Sequence, residues 1–364
     1  MSRPLWARIE PRCYEREVHP LALIKSFLMA FVLYLPSLQE VAQRYGRMVK
    51  TAYGSTLSYA LRRTSSLEMV RALFACLDER FAPKPHQLVV IDSIPLTLPA
   101  TRRHGCRRIN RKTVGGAVLW QYCVQAAPGT NPIKICKIIS GPWHDTQTIA
   151  DVELMPDGPI YLMDRGFWCI EHIRRWLGQG VHFIVRANKQ DFTFTMTKTL
   201  GPARILRNGT RIVHDGIARL GGAQRKRKPT VRLVFAYLAD GTDLILISDL
   251  MEASAEAILE AYKHRWDIEE FHRFLKDTVG LAHLYSFQEN GIMFLLHVAV
   301  LLAVLLFLSL TTARRSTVQE IFDLLDELRR LLGLGKRWKR NMYTTHPERK
   351  PKRKRRPHSV GKNH

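Results

Sequence analysis

The sequence has few cysteines, and their spacing suits neither metal nor disulfide chemistry. Six cysteines are scattered singly over 364 residues, without a CxxC pair or a Cys/His cluster. This excludes the ligand spacing of a structural zinc site and the framework of a small disulfide-rich domain. No signal-peptide pattern opens the chain. We therefore interpret the cysteines as reduced thiols in a cytoplasmic protein.

Acidic residues are also scarce. The chain has 32 Asp and Glu against 56 Lys and Arg, which gives a formal net charge of +24. Such a balance suits a polyanionic partner, either nucleic acid or an anionic membrane surface, and a merely soluble basic surface is the alternative. The hydrophobic fraction of 46% excludes wholesale disorder, and the length allows two or three domains.

Residues 1–82 predict an N-terminal helical domain. Ser37-Leu-Gln-Glu40 matches a capping box, and short helices are expected on both sides of a turn after Gly46. Two short helices around such a turn resemble a helix-turn-helix, and an ordinary helical bundle is the alternative. The candidate DNA contacts on the second helix are Ser55, Thr56, Ser58 and Tyr59.

Residues 83–335 predict an α/β domain. The apolar runs Leu88–Ile91 and Ile160–Met163 read as buried strands, and they end on Asp92 and Asp164. Strands alternate with helices around them, as in an α/β fold, where functional groups gather at strand ends. Residues 187–249 are rich in strands and loops, which indicates an insertion into the α/β core.

A long helix is predicted over Ala253–Asp277, which contains neither Gly nor Pro. At about 100° per residue, four of its side chains fall within roughly 60° on one face, and Arg273 shares that face. These four are Tyr262, Arg265, Glu269 and Lys276. A carboxylate flanked by a phenol and cations suits a phosphate-handling face, and an exposed salt-bridged face is the alternative.

The Y-x2-R-x3-E-x6-K pattern of these four residues resembles the signature of DDE transposases of the insertion-sequence-four family. Asp164-Arg-Gly-Phe167 is similar to the D-R-G-F motif around that family's second aspartate, and Asp92 lies where its first aspartate is expected. The acids are 72 and 105 residues apart, which leaves room for a β-rich insertion before the glutamate. The resemblance covers about residues 85–310.

The resemblance implies a ribonuclease H-like catalytic core that holds two Mg²⁺ or Mn²⁺ ions on Asp92, Asp164 and Glu269. It also implies a metal-dependent polynucleotidyl transferase that cleaves transposon ends and joins them to target DNA. The partner would be double-stranded DNA, bound by a homodimer in the bacterial cytoplasm, at the nucleoid. The alternative is a catalytically silent or domesticated DNA-binding protein that keeps the fold.

The resemblance implies phosphate contacts for Tyr262, Arg265 and Lys276, and base stacking for Trp266; Arg273 joins them as a DNA-binding candidate. His144-Asp145 resembles a His-Asp pair found upstream of the second aspartate in such enzymes, and a structural pair is the alternative. Six cations between residues 102 and 112 form a basic loop that predicts backbone contacts with DNA or, alternatively, a solvated loop.

Two further segments are informative. Gly291–Leu310 is long and apolar enough to span a bilayer, but beside the acids and the helix stripe we expect a buried core helix and no membrane. Residues 336–364 contain twelve Lys and Arg against one acid, Glu348. They predict a disordered basic tail lying on DNA, and a solvated tail without a partner is the alternative.

Overall fold

A computed structural model describes most of the chain: residues 18–80, 85–98, 118–126, 133–140, 145–150, 152–187, 193–221, 228–280, 285–286 and 288–312. The predictions for the basic loop 102–112, for His144 and for the tail 336–364 lie outside the described residues.

The N-terminal region is helical, as predicted. Its helices are α1 Pro20–Leu33, α2 Leu38–Val49, α3 Gly54–Leu61 and α4 Thr64–Arg80. Ser37 caps α2 and accepts a hydrogen bond from Glu40 N at 3.2 Å. Helix α2 continues past the predicted end at Gly46, and Lys50 terminates it in a left-handed conformation. The Gln39 side chain then accepts from Gly54 N at 3.0 Å, which ties the start of α3 to α2.

Ten strands form one mixed sheet in the order β3-β2-β1-β4-β5-β10-β9-β8-β6, with β7 paired to β8. Strand β4 lies parallel to β1 and to β5, and the other pairings are antiparallel. The strands are β1 Leu88–Leu98, β2 Val118–Ala126, β3 Ile133–Ser140, β4 Ile160–Met163, β5 His182–Arg186, β6 Phe194–Thr199, β7 Arg204–Ile205, β8 Arg211–Leu220, β9 Thr230–Tyr237 and β10 Asp243–Ser248. The predicted β-rich stretch therefore extends the same sheet through β6–β10.

The remaining helices cover both faces of this sheet. They are α5 Asp145–Ile149, α6 Ile170–Gln179, α7 Ala255–Lys263, α8 Trp266–Arg273 and α9 Glu289–Thr312. Side chains alternate along each strand. Val90 and Leu162 consequently join a core with α1–α4 and α7–α9, whereas Ile91 and Met163 join a second core with α5 and α6.

Helix α9 lies in the first core. By length and composition it is the one helix in the described residues that could cross a membrane, yet 83% of its window Glu289–Leu306 is buried in the protein. It packs against the N-terminal helices: the rings of Phe27 and Phe294 are 6.2 Å apart, and Asn290 Nδ2 donates to Arg62 O at 3.0 Å. The N-terminal helices thus share a core with the sheet, and the domain boundary near residue 82 stays a prediction.

Candidate active site

Asp92 and Asp164 lie on neighbouring strands at the middle of the sheet. The parallel pairing of β1 with β4 places Ile91 opposite Met163. The residue that follows each of them in the sequence is an acid, Asp92 or Asp164. Asp92 was predicted to follow its strand, but β1 continues to Leu98 because β2 keeps pairing with it after β4 has ended. Asp164 follows β4 as predicted, so the two carboxylates meet at this point.

Asp164 is held by the first turn that follows its strand. It caps the short 3₁₀ helix Arg165–Phe167, and its Oδ1 accepts from Gly166 N at 2.7 Å. A Cβ on residue 166 would lie 3.0 Å from that oxygen and would collide with Oδ2 of Asp145. The glycine of the Asp-Arg-Gly-Phe motif is therefore required because two carboxylates pack against its α-carbon.

Asp145 brings a further carboxylate to the cluster. The Ser93 hydroxyl donates to Asp145 Oδ1, which links the start of α5 to the residue after Asp92. His144-Asp145 is only a weak match to the family's His-Asp pair, whereas in the structure Asp145 lies beside both predicted aspartates.

The electrostatics of Asp92 reflect this crowding. Its pKa is raised to about 7, first by burial and then by the negative charges of Asp164 and Asp145. The hydrogen bond from Ser93 N to Asp92 Oδ1, at 2.8 Å, and the charge of Arg265 oppose the rise. Neighbouring carboxylates that are partly desolvated repel each other unless a cation accompanies them.

The helix that faces these acids is not continuous, which corrects the prediction over Ala253–Asp277. Arg265 N bonds to Tyr262 O and Asp267 N to His264 O, both three residues back, so the chain overwinds between α7 and α8. After α8, residues Phe274–Thr278 form a π-helical turn in which Val279 N donates to Phe274 O. A face computed at 100° per residue therefore does not extend from Tyr262 to Lys276.

Arg265 is the centre of the helix side of the site. Its guanidinium donates to Glu269 Oε1 at 2.6 Å and lies 5.9 Å from the Tyr262 ring and 5.3 Å from the Trp266 ring. The Tyr262 side chain is buried, and this burial raises the pKa of its hydroxyl. Asp164 acts electrostatically on both Tyr262 and Arg265, so the helix and the strand-end acids form one cluster.

The structure unites the predicted residues only in part. Asp92, Asp164, Tyr262 and Arg265 meet, while the Glu269 carboxylate pairs with Arg265. In the described ranges, no three His, Cys, Asp or Glu side chains converge closely enough to hold a metal ion. Of the other predicted DNA contacts, Trp266 lies beside Arg265 and is 60% exposed. Farther along the helix, Arg273 is exposed and Lys276 is half-buried in the π-helical turn.

His272 belongs to the site and was not predicted. It is buried on α8, and its Nδ1 lies 3.7 Å from Asp92 Oδ2. Glu269 and His272 are three residues apart, which is a spacing that brings side chains to neighbouring positions on a helix. That spacing was available in the sequence, but the contact with Asp92 depends on the fold.

A buried ion pair positions the start of α7. The buried side chains of Arg232 on β9 and Asp215 on β8 form an ion pair, and Arg232 Nε donates to Ala253 O at 3.2 Å. Arg204 bridges Asp215 at 2.8 Å and Glu256, in the first turn of α7, at 2.8 Å. Strands β7–β9 therefore fix the end of the helix pair that carries Arg265 and Glu269.

The site thus consists of paired acids at the centre of a mixed sheet, facing the helices that carry Tyr262, Arg265 and Glu269. The chain belongs to the transposase DDE domain family, whose model matches residues 83–307. This match includes the sheet, both aspartates and the helices that carry Tyr262, Arg265 and Glu269. The predicted family is confirmed; the insertion-sequence-four subfamily stays a prediction.

Two curated relatives agree with the family. The chain is 29% identical over 147 residues to a protein of Geobacillus stearothermophilus named as a transposase for insertion sequence element IS5377. It is 23% identical over 222 residues to a protein of Sinorhizobium fredii named as a transposase, y4zB. The aligned parts cover 40% and 60% of this chain, and the chain spans 38% and 60% of the length of these relatives.

Proposed function

We propose that the chain is a DNA transposase that cleaves the ends of its element and joins them to target DNA. The observation that carries this proposal is the pairing of Asp92 with Asp164 opposite Arg265 and Glu269. The mixed sheet, with its acids beside the parallel β1–β4 pair, supports a ribonuclease H-like core. A homodimer acting on double-stranded DNA in the cytoplasm, at the nucleoid, and without a membrane completes the proposal.

The acids suit divalent metal ions. Carboxylate oxygens are the donors that Mg²⁺ and Mn²⁺ prefer, and Asp92 is partly buried beside the negative charge of Asp164. Asp92, Asp164 and Glu269 would hold two ions, and Glu269 would exchange Arg265 for them. When bound, the ions would supply Lewis acidity for the attacking and leaving oxygens of the phosphodiester.

The chain's own groups orient the DNA. Arg265 can donate to a phosphate with a planar, permanently charged fork, and the rings of Tyr262 and Trp266 restrict its position. Lys276 adds a second cation near the last turn. Water first attacks a phosphodiester at the element's end and displaces a 3′-oxygen as a free hydroxyl. That hydroxyl then attacks a phosphodiester of the opposite strand or the target and displaces another 3′-oxygen.

We further propose that α2 and α3 bind the ends of the element as a helix-turn-helix. On α3, Ser55, Thr56 and Tyr59 are exposed, and Ser58 is half-buried and accepts from Arg62 at 3.2 Å. Tyr59 is 62% exposed, and the Arg63 guanidinium lies 4.9 Å from its ring. Exposed hydroxyls beside arginines suit a helix that reads base edges while cations contact phosphates.

The test is cleavage of a duplex that carries the repeats flanking the gene. We expect alanine at Asp92, Asp164 or Glu269 to abolish Mg²⁺-dependent cleavage. Duplex affinity and folding of each variant should stay near wild type. Glu270→Ala is the matched control, because this exposed carboxylate is adjacent to Glu269 in sequence but turned about 100° away.

Two results would oppose the proposal. If Glu270→Ala stops cleavage and Glu269→Ala does not, the helix register and the site are both wrong. If the wild-type chain binds the repeats but never cleaves them with Mg²⁺ or Mn²⁺, the chain is a silent DNA-binding member of its family.

A further inference from the structure

His272 occupies a place in the site that the proposed chemistry leaves unexplained. Its imidazole is buried on α8, one turn after Glu269, and faces β1 rather than solvent. Its Nε2 has no hydrogen-bond partner among the residues that the structure describes. A buried polar atom without a partner is costly, so the reason for this placement of the ring must lie with its other nitrogen, Nδ1.

The geometry of Asp92 indicates that role. One carboxylate oxygen, Oδ1, accepts from Ser93 N at 2.8 Å, which fixes it to the strand. The other oxygen, Oδ2, lies 3.7 Å from His272 Nδ1. The carboxylate is thus bracketed between its own strand and the helix that carries Glu269.

Nδ1 is the ring atom of His272 that faces the carboxylate, 3.7 Å from Asp92 Oδ2. A neutral imidazole has one N–H and one lone pair. A lone pair on Nδ1 would repel the facing carboxylate, so the N–H belongs on Nδ1 and Nε2 keeps the lone pair. The 3.7 Å separation from Asp92 Oδ2 exceeds a hydrogen bond of about 3.2 Å, so donation requires the two atoms to approach by about 0.5 Å.

We propose that His272 is a positioning residue, which donates from Nδ1 to Asp92 Oδ2 and sets the spacing between the first aspartate and Glu269. This inference rests on the proposed function, because it assigns His272 to the same metal-binding acids. Outer partners of metal ligands change metal affinity by about 10–100-fold when they are removed. His272 therefore acts on metal binding before it acts on cleavage.

The test measures Mn²⁺ binding to the full chain with an end duplex, by calorimetry or by electron paramagnetic resonance. His272→Leu removes the donor at similar volume, and His272→Asn keeps an amide N–H near the Nδ1 position. We expect His272→Leu to weaken Mn²⁺ binding at least about tenfold and to raise the Mg²⁺ concentration needed for cleavage by the same factor. The Mn²⁺ affinity of His272→Asn should stay within about threefold of wild type. Glu270→Ala, on the exposed side of α8, is expected to match wild type.

If the His272→Leu variant does not fold, His272→Gln takes its place, because the glutamine amide reaches the position of Nε2 and not that of Nδ1. Weak Mn²⁺ binding by the glutamine variant, together with near-normal binding by the asparagine variant, then supports the proposal. Wild-type Mn²⁺ affinity in the leucine or glutamine variant would overturn it. Equal losses with asparagine would also overturn it, since they would indicate packing alone. A wild-type chain that binds no Mn²⁺ would instead contradict the metal site of the proposed function.

Discussion

Replacing Gly166 with alanine is expected to displace two carboxylates of the site at once. The new Cβ would lie 3.0 Å from Asp164 Oδ1 and closer still to Asp145 Oδ2. Ordinary contacts between carbon and oxygen begin at about 3.5 Å, so Asp164 must move by about half an ångström and Asp145 by more. The movement would also strain the hydrogen bond from Gly166 N to Asp164 Oδ1, now 2.7 Å long.

The substitution should slow cleavage and also destabilise the fold. A 1 Å misplacement of a catalytic group costs about 100-fold in rate, so a shift of about half that distance in Asp164 should cost about tenfold, or about 1.4 kcal/mol of transition-state stabilisation. The overpacking itself should destabilise the fold by about 1–3 kcal/mol. Single-turnover cleavage of an end duplex and urea unfolding measure the two quantities separately.

Gly178→Ala is the matched control for this substitution. Gly178 lies in α6, and a Cβ there meets nothing within 4 Å. Alanine should therefore stabilise the helix by up to about 1 kcal/mol and leave the cleavage rate unchanged. A Gly166→Ala variant that cleaves at the wild-type rate would refute the packing of Asp145 and Asp164 around this glycine.

Three further perturbations address the tail, the buried ion pair and α3. Deleting residues 336–364 should reduce the magnitude of the slope of log affinity against log salt by about five, if about six of its twelve cations contact phosphates; an unchanged slope excludes a DNA arm. Burial raises the pKa of Asp215, but hydrogen bonds from Arg232 and Arg204 lower it overall. Its contribution to stability is thus present above the unfolded pKa of about 3.9 and lost as pH falls through the folded value. Urea unfolding of the wild type should consequently lose more stability than Asp215→Asn between about pH 5 and 3, and parallel pH profiles would contradict this pairing. Tyr59→Ala should weaken binding to the end repeats more than binding to random duplex, and equal losses would remove α3 from sequence recognition.

Local sequence signals predicted the elements well where one short pattern determines one structure. The apolar run Ile160–Met163 forms β4 with the predicted bounds, and the capping box at Ser37 starts α2. The helix with the family signature shows the limit of such signals. No Gly or Pro interrupts Ala253–Asp277, yet the chain overwinds before α8 and widens into a π-helical turn after it. The overwound and π-helical turns depend on how the helix packs against the sheet, and hydrophobic periodicity carries no information about that packing.

The weak prediction of Asp145 and the failure to predict His272 have the same explanation. Asp145 reaches Ser93 across 52 positions of sequence, and His272 reaches Asp92 across 180. Neither contact leaves a local pattern, because parallel pairing of β1 with β4 creates the place where these side chains meet. The three acids were predicted from strand ends and from the family signature, whereas their partners are determined only by the tertiary fold.

On the proposed function, one helix carries both a metal ligand, Glu269, and a phosphate contact, Arg265, and in this structure the two form an ion pair. The two side chains are 11% and 34% exposed, and in this structure they neutralise each other beside Asp164. If the Glu269 carboxylate left Arg265 to bind a metal ion and no DNA were present, the Arg265 guanidinium would remain partly buried without a partner. Removing one partner from a buried ion pair is costly. A DNA phosphate supplies the anion that Arg265 then needs. On the proposed function, metal and DNA therefore stabilise each other's binding, because each satisfies the charge that the other releases.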